Sequence, residues 1–579
     1  MMSSRGGHTA ELLPQPAAAT NERAVRFVER RRPQAAGRAA GACRAGCGVT
    51  ASDRSEGGAV GSFEELHADR IVGTLTMFDR MIFRGHLTRL FPPGAISAML
   101  WQLGFPLTEF TRYAMTATEQ LTATAKRLAA DAGRPYIYSE RSRRRDGDPT
   151  KEEFARAIAD RDGITEGVVC VVSVVEPCWS FQVRPDRRTH RLEAIRRQRK
   201  CVHHYVYLID PEFGFMHVRI QAWIPYQVQI YINGREWLAR QLDAAGVGYR
   251  RYDNALLYVD DLEIAARLCD KFAHRSWPAV LNAFARRVNP LLAMIGQAGF
   301  GGYYWVLDQA EIATDVLFQN RPALLEVWPD LVRHASTNLS SADVLRFLGR
   351  KLHPALKAEV LTEARRRPEG WRIKHRLARN WIKAYDKASV LRVETTINNP
   401  REFRVLRVLD TPEGRQRRWC EMRKGVANTW RYFQVGTAAN RRYLDALATA
   451  TPNGEGIAAL DALCRPRTNH GRHAARFNPL SRHDLTLFRA VLAGEHTITG
   501  FRNHHLAARL YPRPPDNLQE AHRRCQRVSR LIVKLRTHGL IAKVPRARLY
   551  RVTPYGYRVL NAAIAVHDHQ FPSTYLANA

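Results

Sequence analysis

Between Gly167 and Val183 the chain reads GVVCVVSVVEPCWSFQV, a β-branched run almost without polar alternation before Glu176. A run this long and β-branched reads as a buried strand ending near Glu176 and Pro177, which needs partner strands beside it. Neighbouring patterns supply them. IVGTLTMFDRMIFRGHL, starting at Ile71, reads as two short strands broken at Asp79, and residues 93–132 have helical periodicity. A basic loop (RPDRRTHRLEAIRRQRK) leads into CVHHYVYLID and FMHVRIQAW, a hairpin turning at Pro211 to Gly214. QVQIYINGREWLARQLDAAG is strand then helix, residues 262–298 are helical, and YYWVLDQAEIATDVLF (303–318) is again a strand. Helices over 321–362 precede a basic hairpin, GWRIKHRLARNWIKAYDK, and the strand VLRVETTI, after which helices resume from about 400 to 447.

The predicted class is α+β: a mixed, mainly antiparallel-sheet body with helical insertions, followed by a C-terminal domain of different pattern. The expected division is a disordered basic extension (1–65), an N-terminal α+β domain (66–261), a central α+β domain (262–447), a linker (448–480) and a terminal domain (481–579).

Charge narrows the function. Lys and Arg number 89 against 55 Asp and Glu, a formal net charge of +34, and self-repulsion of that size calls for a polyanion partner. DNA is the expected partner, with RNA as an alternative. No apolar run reaches the roughly 18 residues of a membrane span, so a cytoplasmic protein with no membrane contact is expected. No G-x-x-x-x-G-K-[ST] occurs, which argues against a P-loop motor. Cys43 and Cys47 lack a second pair at zinc spacing, and Cys201, His203 and His204 do not form a convincing site, because adjacent histidines on a strand face opposite ways.

The terminal segment is the most specific. DLTLFRAVLA and FRNHHLAARL are helical, and EAHRRCQRVSRLIVKLRTH sets Val528, Leu531 and Leu535 on one face with Arg523, Arg527, Arg530 and Lys534 on the other. Gly539 ends that helix, and LIAKV, PRAR and LYRVT read as strand, turn and strand, with Arg546 and Arg548 at the tip. Residues 481–579 carry sixteen Lys or Arg and five Asp or Glu. The pattern L-R-x-H-G-L-I-x-K, hairpin, Y-x-x-T-x-x-G resembles winged helix-turn-helix regulators of the MarR and ArsR type. That resemblance implies DNA binding through Arg523, Arg527, Arg530, Lys534, Arg546 and Arg548.

Two carboxylate sets are candidates for chemistry. Glu311 and Asp315 share a strand face, while Asp386 and Glu394 flank a strand turn beside Lys383, Lys387 and Arg392. Carboxylates gathered on strands suit Mg²⁺ or Mn²⁺, with Glu311, Asp315 and Glu394 as the expected ligands. The order A-E-I-A-T-D, I-K-A-Y-D-K, L-R-V-E resembles the core of rolling-circle replication initiators. The resemblance implies metal-dependent strand nicking with Tyr385 as the nucleophile and Glu311, Asp315, Asp386 and Glu394 around it. The His-hydrophobe-His pair of many nicking enzymes is replaced here by His203-His204 and a lone His217. The alternative set is Asp79, Glu176 and Asp210, strand-end carboxylates in the manner of transposases.

From MFDRMIFRGHL through FGFMHVRIQAW, NGREWLARQL, QAEIATD and VLRVETTIN to its end, the chain also resembles a large family of uncharacterised bacterial proteins with a terminal winged helix. That resemblance bears on architecture. The expected function is a mobile-element DNA-processing protein, with a non-catalytic winged-helix regulator or architectural binder as the alternative.

Overall fold

A computed structural model describes residues 28–30, 62–139, 149–337, 339, 341–349, 360–367, 370–412, 414–448, 456–469, 471–479, 481–493, 496, 500–545, 547–565 and 567. Most of the expected extension over 1–65 lies outside these residues, as does Arg546.

One eleven-stranded sheet organises the body. Its strands are β1 (Ile71–His86), β2 (Tyr136–Ser139), β3 (Gly167–Pro185), β4 (Leu192–Asp210), β5 (Gly214–Gln221), β6 (Val228–Asn233), β7 (Tyr304–Phe318), β8 (Val360–Arg367), β9 (Gly370–Leu377), β10 (Asn380–Lys387) and β11 (Val390–Ile397). The spatial order is β8-β9-β10-β11-β7-β1-β6-β5-β4-β3-β2, and only the terminal β2–β3 pairing is parallel. Because β7 inserts between β11 and β1, the sheet passes straight through the domain boundary expected at 261. Hydrophobic patterning specifies strands but not the neighbours they choose, so the join was invisible.

The valine-rich run of β3 is buried from Val168 to Val174, as its composition requires. Helix α1 (Phe110–Asp131) lies over one face of this half of the sheet and α2 (Lys151–Arg161) over the other, both packing against β3. Helices α3 (Gly234–Ala244) and α4 (Leu262–Ala273) pack on β1. On the far half, helix Arg321–Thr337 and the later α5 (Thr429–Leu447) cover β9 to β11.

Several segments differ from expectation. β1 is a single strand of 16 residues, its apparent break at Asp79 being a bulge. The basic loop before Cys201 is largely strand, because cross-strand pairing with β3 overrides its polar composition. Residues 404–421, expected to be helical, form the hairpin β12 (Arg404–Thr411) and β13 (Gly414–Glu421). The expected linker contains a helix, Gly456–Leu463, and a short strand pair, Arg467–Asn469 with Arg472–Ala474.

The terminal segment has its own core. Helices α6 (Arg482–Val491), α7 (Asn503–Leu510) and α8 (Leu518–Thr537) enclose Phe488, Leu506, Val528, Ile532 and Leu535. A two-stranded hairpin, Ile541–Lys543 with Tyr550–Val552, follows, and then helix Pro554–Ala565. Phe501 pairs with Tyr550 through two backbone hydrogen bonds of 2.8 Å, so the segment before α7 forms a third, minimal strand against the hairpin.

Candidate metal centre

The middle of the sheet carries an unusual density of buried charge. Lys383 pairs across strands with Glu394, Tyr385 with Arg392, Ala313 with Glu394 and Asp315 with Arg392. Directly opposed residues share a face, so Lys383, Tyr385, Arg392, Glu394 and Asp315 all stand on one side, together with Glu311 two residues before Ala313. Asp79 joins them by a local irregularity. Glu311 lies opposite Arg80 and Ile312 opposite Phe78, leaving Asp79 as the extra residue of a β-bulge. A bulge turns a side chain out of strict alternation, and here it puts two consecutive residues, Asp79 and Arg80, beside the same cluster.

The close packing of α3 accompanies that bulge. A Cβ on Gly234 would stand 2.1 Å from the Phe78 carbonyl oxygen, so only glycine lets the start of the helix lie on β1 there. Asn233 caps the helix, accepting from Arg235 N at 2.9 Å, and Arg235 is directed into the interior.

One ligand oxygen from each of Asp79, Glu311 and Glu394 lies within 4.8 Å of the other two. Glu394 Oε1 accepts from Lys383 Nζ at 2.6 Å, and Oε2 accepts from the Tyr385 hydroxyl at 3.0 Å. Asp79 accepts from Asn254 Nδ2 at 2.9 and 3.1 Å and from Arg392 Nη1 at 3.3 Å. Glu311 is held less firmly. Gln309 Nε2 donates to it at 2.9 Å, while Arg80 and Lys383 remain 3.8 and 4.0 Å away.

The electrostatics follow from these contacts. Burial, and then the charge of Glu394, push the Glu311 carboxyl up to about 7 against the pull of Lys383 and Arg80. Glu394 is buried too, but Lys383 and Arg392 outweigh that and hold its carboxyl below the ordinary range. Burial and the neighbouring Glu394 raise the Tyr385 phenol well above its usual value.

Two further carboxylates expected at the site, Asp315 as a ligand and Asp386 beside the nucleophile, stand outside this cluster. Arg392 donates from Nε to Asp315 Oδ1 at 2.6 Å and from Nη2 to Oδ2 at 2.8 Å, and Arg235 Nη1 lies 3.1 Å from Oδ2. Fully buried and bracketed by two guanidiniums, Asp315 organises arginines; burial alone would raise its carboxyl, yet the arginines hold it low. Asp386 alternates onto the opposite face, 3.8 Å from Arg321 and filling the space a Cβ would take at Gly370.

The alternative set is dispersed. Glu176 binds Lys151, Arg219 and the Tyr205 hydroxyl. Asp210 accepts from Glu212 N and Phe213 N in the hairpin turn. Cys201, opposite Glu176, is nine residues from Asp210 along β4, about 30 Å at strand rise. Only Asp79 of that set reaches the centre. His203 Nδ1 meets the Cys201 carbonyl oxygen at 3.0 Å and His204 Nδ1 meets Ser173 Oγ at 2.7 Å, so both serve the fold.

From the sequence Asp79 and Glu311 belong to rival schemes, and Arg80, Arg235 and Asn254 do not stand out. A usable signal existed: an Asp-Arg doublet interrupting a strand that is apolar on both sides marks a bulge.

On the terminal domain Arg523, Arg527, Arg530 and Arg548 are exposed, whereas Lys534 lies over the Phe477 ring at 3.8 Å. No family model, curated protein or solved structure matches the chain.

Proposed function

We propose that the chain is a DNA-binding protein, of the kind mobile elements carry, that cleaves or transfers a strand in a divalent-metal-dependent reaction. The observation that carries this reading is the convergence of Asp79, Glu311 and Glu394 from three adjacent strands, with Glu311 held protonated near neutrality. Burial and the neighbouring Glu394 leave Glu311 undercompensated, and three oxygen donors suit a hard cation. Asp79, Glu311 and Glu394 would hold Mg²⁺ or Mn²⁺, which supplies charge stabilisation at a scissile phosphate. Lys383 and Arg80 stand ready to meet the same phosphate oxygens. Tyr385 is placed beside the cluster and in contact with Glu394. If its phenolic oxygen attacks phosphorus, a phosphotyrosyl bond forms, the P–O bond to the leaving sugar breaks, and the phenol proton leaves to solvent by way of its hydrogen bond to Glu394 Oε2, a loss that burial makes costly. The leaving oxygen takes its proton from solvent.

The terminal domain supports the DNA half of the reading. Its order of helix, minimal strand at Phe501, two helices and hairpin is compatible with the winged-helix reading. α8, with Arg523, Arg527 and Arg530 exposed on it, would be the recognition element and Arg548 would lie on the wing.

One observation favours a second reading. Arg80, Arg235, Lys383 and Arg392 stand against Asp79, Asp315, Glu311 and Glu394, an even match of charges that would also staple the sheet of a non-catalytic DNA binder. Incubation of the protein with supercoiled and single-stranded DNA, with and without Mn²⁺, separates the two. Metal-dependent nicking lost in Glu394→Gln supports the enzyme, and a protein-linked strand lost in Tyr385→Phe supports the tyrosine route. Absence of any cleavage leaves the binder.

A further inference from the structure

The basic segment 184–200 is an arm. β4 pairs with β5 only from His203 onward, so its residues from Leu192 to Cys201 have β3 alone beside them. The arm's base is fixed where Trp223 Nε1 donates to the Phe181 carbonyl oxygen at 2.9 Å and Phe91 stacks on Phe181. Along this ribbon stand eight cations, Arg184, Arg187, Arg188 and Arg191 beyond that base and Arg196, Arg197, Arg199 and Lys200 opposite residues 181 to 177, every one exposed and none in an ion pair among the described residues. Two acids, Asp186 and Glu193, accompany them. Asp186 is used by the turn, accepting from Arg188 N at 2.9 Å and from the Thr189 hydroxyl at 3.0 Å, and does not neutralise the arginines. Trp179 is 54% exposed on the same ribbon.

A second ribbon repeats this design. β12 and β13 form a two-stranded sheet of their own, with Arg404, Arg417 and Arg418 exposed and Trp419 at 59% exposure. Both ribbons root at one end of the main sheet. Arg196 of the first lies 4.9 Å over Phe91, whose ring is 6.3 Å from that of His86, the last residue of β1. Lys424, just after β13, holds Asp308 near the start of β7, and Asp308 also holds Arg84, two residues before His86. Glu311 of the metal centre follows Asp308 by three residues on the same strand.

We propose that the two ribbons are paired β-arms that grip a DNA duplex at the β1–β7 end of the sheet, delivering it to the carboxylate cluster independently of the winged helix. Unpaired arginines meet phosphates, a two-stranded ribbon fits the major groove, and the half-exposed tryptophans, each with a guanidinium over one face (Arg196 5.4 Å from Trp179, Arg431 5.3 Å from Trp419), offer the remaining surface to unstacked or frayed bases. Protein partners fit less well. Exposed, unpaired charge of one sign is what a phosphate backbone recognises, whereas the core of a protein interface is depleted in charge.

The test uses the full chain and a short random-sequence duplex, with affinity read over a series of KCl concentrations. Arg187→Ala/Arg188→Ala/Arg191→Ala alters only the exposed turn, and Arg523→Ala/Arg527→Ala/Arg530→Ala is the matched change on α8. The arm variant is expected to reduce the slope of log K against log salt by about 2 to 3, at roughly 0.9 per phosphate contact. It should do so equally in the α8-variant background, with an unchanged melting temperature. Trp179→Ala should weaken single-stranded binding several-fold. An unchanged slope in both backgrounds would overturn the proposal, as would an arm variant that loses binding to phosphatidylglycerol vesicles while keeping its affinity for DNA. Failure of the α8 variant alone to affect binding would instead count against the winged-helix reading and leave the arms standing.

Discussion

Glu311 and Glu394 project from neighbouring strands toward the same point, and the protein holds them in different protonation states: Lys383 lies 2.6 Å from Glu394 but 4.0 Å from Glu311. One lysine cannot compensate two buried carboxylates equally, and the less favoured one keeps its proton to about pH 7. The properties expected of the centre follow from that asymmetry.

Stability should report it first. The folded-state value of Glu311, about 7, lies above its ordinary 4.5, so the native state binds the proton more tightly than the unfolded chain does. Below pH 4.5 the residue is neutral in both states and costs nothing. As pH rises from 4.5 to 7 stability is lost, up to about 3 kcal/mol, at 1.36 kcal/mol per pK unit. Glu311→Gln should therefore melt higher than the parent at pH 8, the gap closing toward pH 4.5. A gap independent of pH in parallel thermal melts would contradict this.

Removing Lys383 should expose both carboxylates at once. Lys383→Met is expected to cost about 3–5 kcal/mol at pH 8, the range for breaking a buried pair, and Mn²⁺ should return most of the loss. Urea titrations with and without the ion measure both effects.

Arg392 ties three strands together, reaching Asp315, Asp79 and Asn254. Arg392→Met leaves Asp315 with Arg235 alone and should also cost about 3–5 kcal/mol. Arg392→Met/Asp315→Leu, which removes both charges, should recover a large part of that in the same denaturation series.

Gly234→Ala tests the bulge. Its Cβ meets backbone at the Phe78 carbonyl rather than a movable side chain, so a loss of roughly 1–3 kcal/mol is expected. Displacement of Asp79 should accompany it, seen as weaker Mn²⁺ binding than the stability change alone explains.

Local pattern revealed much of this fold. The valines of β3, the hairpin turning at Pro211 to Gly214 and the three strands from Gly370 to Ile397 were readable because period, turn chemistry and β-branching agree there. What stayed hidden was pairing across long separations. Nothing in QAEIATDVLF says that it lies beside MFDRMIF, more than two hundred residues earlier, so Asp79 and Glu311 could not be joined. That Glu394, Glu311 and Tyr385 share one face could be read because they stand on strands close in sequence or share an obvious alternation. Asp315 and Asp386 were misread because strand spacing fixes a face but does not say whether an arginine already holds the carboxylate.

The most direct measurement is a calorimetric titration of the full chain with Mn²⁺ at pH 6 and pH 8, repeated for Glu394→Gln. One saturable ion per chain is expected, tighter at pH 8, with a proton released on binding at pH 6 as Glu311 ionises, and binding should be lost in the variant. No saturable binding, or binding that Glu394→Gln leaves intact, would contradict a metal centre at Asp79, Glu311 and Glu394.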